Sequence, residues 1–124
     1  MSSQSTTIIL IASDLLLTSS VSGAASAAGV PFYSADSVRQ AVDLLNAHPQ
    51  SVLLVDLGTP GLTVAQLTEA VATEVLKKSV AYGPHVHTAK LQAAENAGFG
   101  QVLSRGQFSA QVSRIISDAV SASI

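Results

Sequence analysis

Asp56 is the residue whose setting most demands a chemical explanation. It follows the run Ser51-Val52-Leu53-Leu54-Val55. A carboxylate after such a run is costly unless it stands at a solvent edge. Ser13 and Asp14 close a second run, Thr7 to Ala12. Tyr82-Gly83 and Ser104-Arg105 end two further short apolar segments. Brought together, two carboxylates, a hydroxyl and a guanidinium suit a cation or an anion. Each residue also has a plainer role. Asp14 can cap a helix, Ser13 can belong to a turn, and Asp56 can cap its loop. The cost of placing a carboxylate after an apolar strand favours a site role for Asp56.

The elements that carry these residues follow from periodicity and punctuation. Thr7 to Ala12 reads as a strand buried on both faces. Asp14 starts a helix over Leu15 to Ala28, which Gly29 ends. Val30 to Tyr33 is a second strand. Ser34 or Asp36 caps a helix with Val38, Ala41, Val42 and Leu45 on one face, and His48-Pro49 ends it. Ser51 to Asp56 is the third strand, and Gly58-Thr59-Pro60-Gly61 is a loop. A helix is expected over Thr63 to Leu76, a strand over Ser79 to Tyr82, and a helix over His87 to Ala97 that Gly98 ends. Gln101 to Leu103 is the fifth strand. Ser109 to Val120 is the last helix, with Val112, Ile115, Ile116 and Ala119 on one face.

Five βα units in 124 residues imply one α/β domain. The expected architecture is three-layer, (βα)5 and flavodoxin-like, a doubly wound parallel sheet of strand order 2-1-3-4-5. The domain is expected over residues 7–121, with flexible termini at 1–6 and 122–124. In such a sheet, ligands bind where the strand order reverses, at the carboxyl ends of strands one and three. That edge gathers Asp14, Asp56, Gly83 and Arg105, with Ser13, Gly58, Thr59 and His85 around them.

Composition narrows the alternatives. The chain is 48% hydrophobic but only 4% aromatic, so its core must be aliphatic. Net charge is −2 and the six Lys and Arg are scattered, which argues against nucleic acid as a partner. The absence of cysteine excludes disulfides and thiolate metal sites. No glycine-rich loop follows the first strand, so a dinucleotide site or P-loop is not expected. His85 and His87 could supply half of a metal site, but no third ligand accompanies them. Residues 8–17 and the small residues after them imitate a signal peptide. The stretch Met1 to Thr7 lacks Lys and Arg, however, and Asp14 interrupts the apolar run. A cytoplasmic protein without a membrane span is the expectation.

Several segments resemble response-regulator receiver domains, of the chemotaxis-regulator type. VLLVDLGTPGL (Val52 to Leu62) resembles the strand-three motif, an aspartate before a short loop ending Pro-Gly. ILIASD resembles the strand-one motif that ends in two acids. AENAGFGQVLSR (Ala94 to Arg105) resembles the turn before strand five and the lysine that ends that strand. AYGPHVHTAKLQAAENAG resembles a divergent receiver-like group with Gly-x-His-Val after strand four and an arginine after strand five.

The resemblance implies a phosphoacceptor position at Asp56 and a Mg²⁺ site at Asp14 and Asp56. Ser13 stands where a further acid is usual. Gly83 replaces the switch Thr or Ser, Arg105 stands at or beside the invariant lysine, and Gly106 stands where proline usually follows. These departures weaken Mg²⁺ binding, the only cofactor implied. They also remove the contact that turns phosphorylation into loop movement. The expected function is that of a stand-alone, atypical or pseudo-receiver module of two-component signalling, not an enzyme. It would act by protein contact, with Asp56 phosphorylation weakened or absent. The implied partner is a kinase, a downstream regulator or a second copy. It would meet a face made of the fourth helix, fifth strand and fifth helix, where His87, Lys90, Gln107 and Arg114 are exposed candidates. The rival reading is a flavodoxin-like module that binds a small anion or nucleotide at Asp56, Gly58, Thr59, Gly83, His85 and Arg105.

Overall fold

The structure, a computed structural model, describes residues 6–122. The chain-end residues 1–5 and 123–124, expected to be flexible, lie outside the described residues. Thr6, placed by sequence in the terminus, is buried. The elements run β1 (Thr7–Ile11), α1 (Leu15–Ala28), β2 (Phe32–Ala35), α2 (Val38–Ala47) and β3 (Ser51–Asp56). They continue with α3 (Val64–Ala70), α4 (Thr73–Leu76), β4 (Val80–Gly83), α5 (Thr88–Ala97), β5 (Gln101–Ser104) and α6 (Arg105–Ala122). All strand pairs are parallel, in the order β2-β1-β3-β4-β5. The expected doubly wound sheet is thus present.

Strand periodicity divides the aliphatic residues between two cores. Ile9, Ile11, Leu53 and Val55 point to one face, where Ala41, Leu67 and Ala94 from α2, α3 and α5 cover them. Ile8, Leu10, Val52 and Leu54 point to the other, against Leu17 and Val21 of α1 and Phe108, Val112 and Ile116 of α6. β1 and β3 are buried along their whole length, which explains why their sequences lack alternation.

Most boundaries shift by a residue or two from the sequence reading, and the following differences have a local cause. β2 starts at Phe32 rather than Val30. The Val30 N–H is spent on the Ala25 carbonyl in the turn that closes α1, and Pro31 has no N–H to give. The N-cap of α2 is Ser37, not Ser34 or Asp36; its Oγ accepts the Gln40 N–H. The helix expected over Thr63 to Leu76 is broken, because Val71 turns extended and buries its side chain in the core. The expected fourth and fifth helices are therefore α5 and α6. β4 runs one residue later than expected, since the Ser79 hydroxyl accepts the Leu53 N–H and donates to the Val75 carbonyl. Helix α6 starts at Arg105, four residues early. Ser104 and Gln107 exchange side-chain and backbone hydrogen bonds there, a capping box that outweighs Gly106.

Candidate functional site

The carboxyl edge of the sheet brings Asp14, Asp56 and Arg105 together. Asp14 lies between β1 and α1, and it does cap the helix. Its Oδ1 accepts the N–H groups of Leu16 at 2.8 Å and Leu17 at 3.2 Å. Asp56 is the last residue of β3 and only 4% exposed. Its Oδ1 accepts the Gly58 N–H at 2.8 Å. The Thr59 hydroxyl donates to the Asp56 carbonyl at 2.7 Å, so Thr59 shapes the loop rather than facing the carboxylate.

Arg105 opens α6 just beyond β5 and reaches back across the strand ends. Its Nη2 forms an ion pair with Asp14 Oδ2. Its Nη1 stands 3.8 Å from Asp56 Oδ2, close enough for ion pairing but too far for a hydrogen bond. A planar, forked guanidinium can address two carboxylates at once; an ammonium is a single point.

Lys90, on α5, was read from sequence only as part of a contact face. Its Nζ donates to the Leu57 carbonyl at 3.2 Å, and its charge acts on Asp56. Burial pushes the Asp56 carboxyl above its ordinary range. The Gly58 hydrogen bond and the Lys90 charge pull it partly back. Tyr82 was read from sequence only as the end of a strand. It pairs in register with Asp56 and stacks on Phe108 at 3.9 Å between ring centroids. Its hydroxyl is buried without a hydrogen-bond partner among the described residues. Burial and, second, the Asp56 charge push that phenol well above its usual value. Only its place one residue before Gly83 could have drawn attention to it.

Other expected members stand apart. Ser13 is exposed and lines a separate hollow with Ser34, Asp36 and Gln40 on the β2 side. His85 and His87 are exposed, and among the described residues no hydrogen bond or ion pair joins them to Asp56 or Arg105. Gly83 is buried, and a Cβ there would meet Leu57 Cβ at 3.5 Å and Leu91 Cδ2 at 3.9 Å, ordinary contacts. Glycine is thus not forced on this position by space. Gly58 is tighter: a Cβ would lie 3.2 Å from Asp56 Oδ1, on the oxygen that its own N–H serves.

Mg²⁺, which receiver domains of this fold imply, does not fit this edge while Arg105 is seated between Asp14 and Asp56, the two carboxylates that would hold it. The ion requires near-octahedral oxygen ligands at about 2.0–2.1 Å. Among the described residues no group of three or more His, Cys, Asp or Glu could hold a metal. The Oδ2 atoms of both aspartates face Arg105.

No protein-family model matches the chain, and no curated protein matches its sequence. Solved structures do match in fold. A putative response regulator from Chloroflexus aurantiacus J-10-fl is 13% identical, with a TM-score of 0.74 over 93% of this chain and 97% of that one. The receiver domain of Francisella response regulator 1452 is 12% identical, with a TM-score of 0.74 over 97% and 99%. The beryllofluoride-activated NtrC4 receiver domain dimer is 16% identical, with a TM-score of 0.66 over 91% and 98%. The chain therefore has the receiver fold of response regulators, carrying at its sheet edge an arginine between two aspartates.

Proposed function

We propose that this chain is an atypical receiver module of two-component-type signalling that works by protein contact, without an effective Asp56 phosphorylation switch. The observation that carries this reading is the closed state of Asp56. The residue is nearly buried, its Oδ1 holds the Gly58 N–H, and its Oδ2 faces Arg105. A phosphoryl group arriving at this carboxylate meets a cation already paired with Asp14, so its charge calls for a further cation. Gly83 adds to the argument, because it offers no hydroxyl to a phosphoryl group and so nothing to draw on the β4–α5 loop.

In this reading the domain spans residues 7–121 and acts in the cytoplasm. No described helix is long and apolar enough to cross a membrane. The contact face is α5, β5 and α6, where His87, Lys90, Gln107 and Arg114 are exposed, and the occupant is a kinase, a regulator or a second copy. The anion- or nucleotide-binding alternative is weaker, because Arg105, the cation it needs, is already shared between two carboxylates. Incubation with a small phosphodonor and Mg²⁺, followed by intact-mass measurement, tests the proposal. The expected outcome is no stable phospho-protein; stoichiometric modification of Asp56 would overturn it.

A further inference from the structure

We infer that Arg105 is the resident counter-cation of this edge, taking the place between Asp14 and Asp56 that a divalent ion would need. The inference rests on the reading of the site as a closed one, and concerns what holds it closed.

The two carboxylates divide their oxygens in the same way. Asp14 gives Oδ1 to the first turn of α1, and Asp56 gives Oδ1 to the Gly58 N–H. Each Oδ1 is thus spent on its own loop. Each Oδ2 is left over, and both face the two terminal nitrogens of one guanidinium. That match of two leftover oxygens to two arms of one fork is what a lysine could not supply.

Charge closes in the same way. Asp14 and Asp56 bring two negative charges. Arg105 brings one positive charge, and Lys90, held by the Leu57 carbonyl, brings a second that acts on Asp56. The edge is neutralised by the chain's own side chains. It has no electrostatic demand for a soluble cation while Arg105 is seated. Asp56, 4% exposed, would otherwise be a nearly buried carboxylate with too little compensation.

The consequence is a metal-indifferent edge that becomes metal-responsive when the arginine is removed. The experiment compares the full chain with Arg105→Gln, Arg105→Lys and the double variant Arg105→Gln/Asp56→Asn, each in EDTA and in MgCl₂. Unfolding midpoints are measured, together with Mn²⁺-induced broadening of the Gly58 amide resonance. The native chain should show the same midpoint in both buffers and no selective broadening. Arg105→Gln should melt lower in EDTA, recover in MgCl₂, and bind Mn²⁺ about tenfold or more tightly than the native chain. Arg105→Lys should fall between them, and the double variant should lose the metal response. If Arg105→Gln proves too unstable for a midpoint, the amide broadening in Arg105→Lys carries the comparison. A native chain that binds Mn²⁺ as tightly as Arg105→Gln would overturn the inference. So would an Arg105→Gln variant with an unchanged midpoint and no metal response. Neither outcome involves a phosphodonor, so failure here is separate from failure of the proposed function.

Discussion

Tyr82→Phe isolates one atom of the buried sheet edge. The Tyr82 hydroxyl is buried and has no hydrogen-bond partner among the described residues, while its ring stacks on Phe108 with 12° between the planes. Desolvating a hydroxyl without compensation costs about 1–3 kcal/mol. Phenylalanine keeps the ring contact and removes the orphaned group, so a gain of about 1 kcal/mol is expected. At about 2.1 cal/mol/K per residue, 124 residues give an unfolding entropy of roughly 0.26 kcal/mol/K. The gain therefore raises Tm by about 4 °C.

A second signature follows from the phenol's raised pKa. The unfolded chain releases that proton near the ordinary value of 10.0, whereas the native state holds it to higher pH. Tyr82's contribution to stability is thus intact below that value and is lost as pH climbs from it toward the folded pKa. The slope is about 1.4 kcal/mol per pH unit. Tyr82→Phe has no such loss, so its advantage should widen in alkali. Urea unfolding across this range measures it. Phenolate absorbance from Tyr82 should appear only with unfolding. A variant less stable than the native chain, or an advantage that does not grow with pH, would refute the reasoning.

Two further outcomes test the site and its frame. Because burial raises the Asp56 carboxyl, its charged form weighs against the native state at neutral pH. Asp56→Asn should stabilise the fold there, and the difference should shrink as pH falls through the raised value and vanish below the unfolded one, as paired urea titrations would show. Gly100→Ala should cost about 1–3 kcal/mol in the same assay, since its Cβ would lie 2.3 Å from the Lys77 carbonyl oxygen and the backbone must move.

The fold was legible because its cues are covalent and local. Two fully buried strands show as unbroken aliphatic runs, and Gly29 and Gly98 end helices in the left-handed conformation that favours glycine. Asp14, Asp56 and Arg105 were legible as members of one edge because a parallel sheet places its strand ends together. What joins them was not. Arg105 crosses from beyond β5 to β1, and no sequence spacing encodes that reach. The relation of Lys90 and Tyr82 to Asp56 was hidden for the same reason: one acts from a helix face and the other from inside the core. The break at Val71 was hidden because its residues carry helical periodicity. The core overrode that pattern by drawing Val71 inward. Ser13 follows an apolar strand as Asp56 does, yet it turns toward β2, since a turn residue's direction depends on a torsion its identity does not set.

Asp14's division of labour has a mechanical side. One carboxylate fastens the first turn of α1 through Leu16 and Leu17 and also holds Arg105, the first residue of α6. The two helices on that side of the sheet are therefore clasped at their tips by a single short side chain with two rotatable bonds. The turn it fastens carries Leu15 and Leu16, which are 83% and 84% exposed. An exposed apolar pair and the charged edge thus meet at one carboxylate.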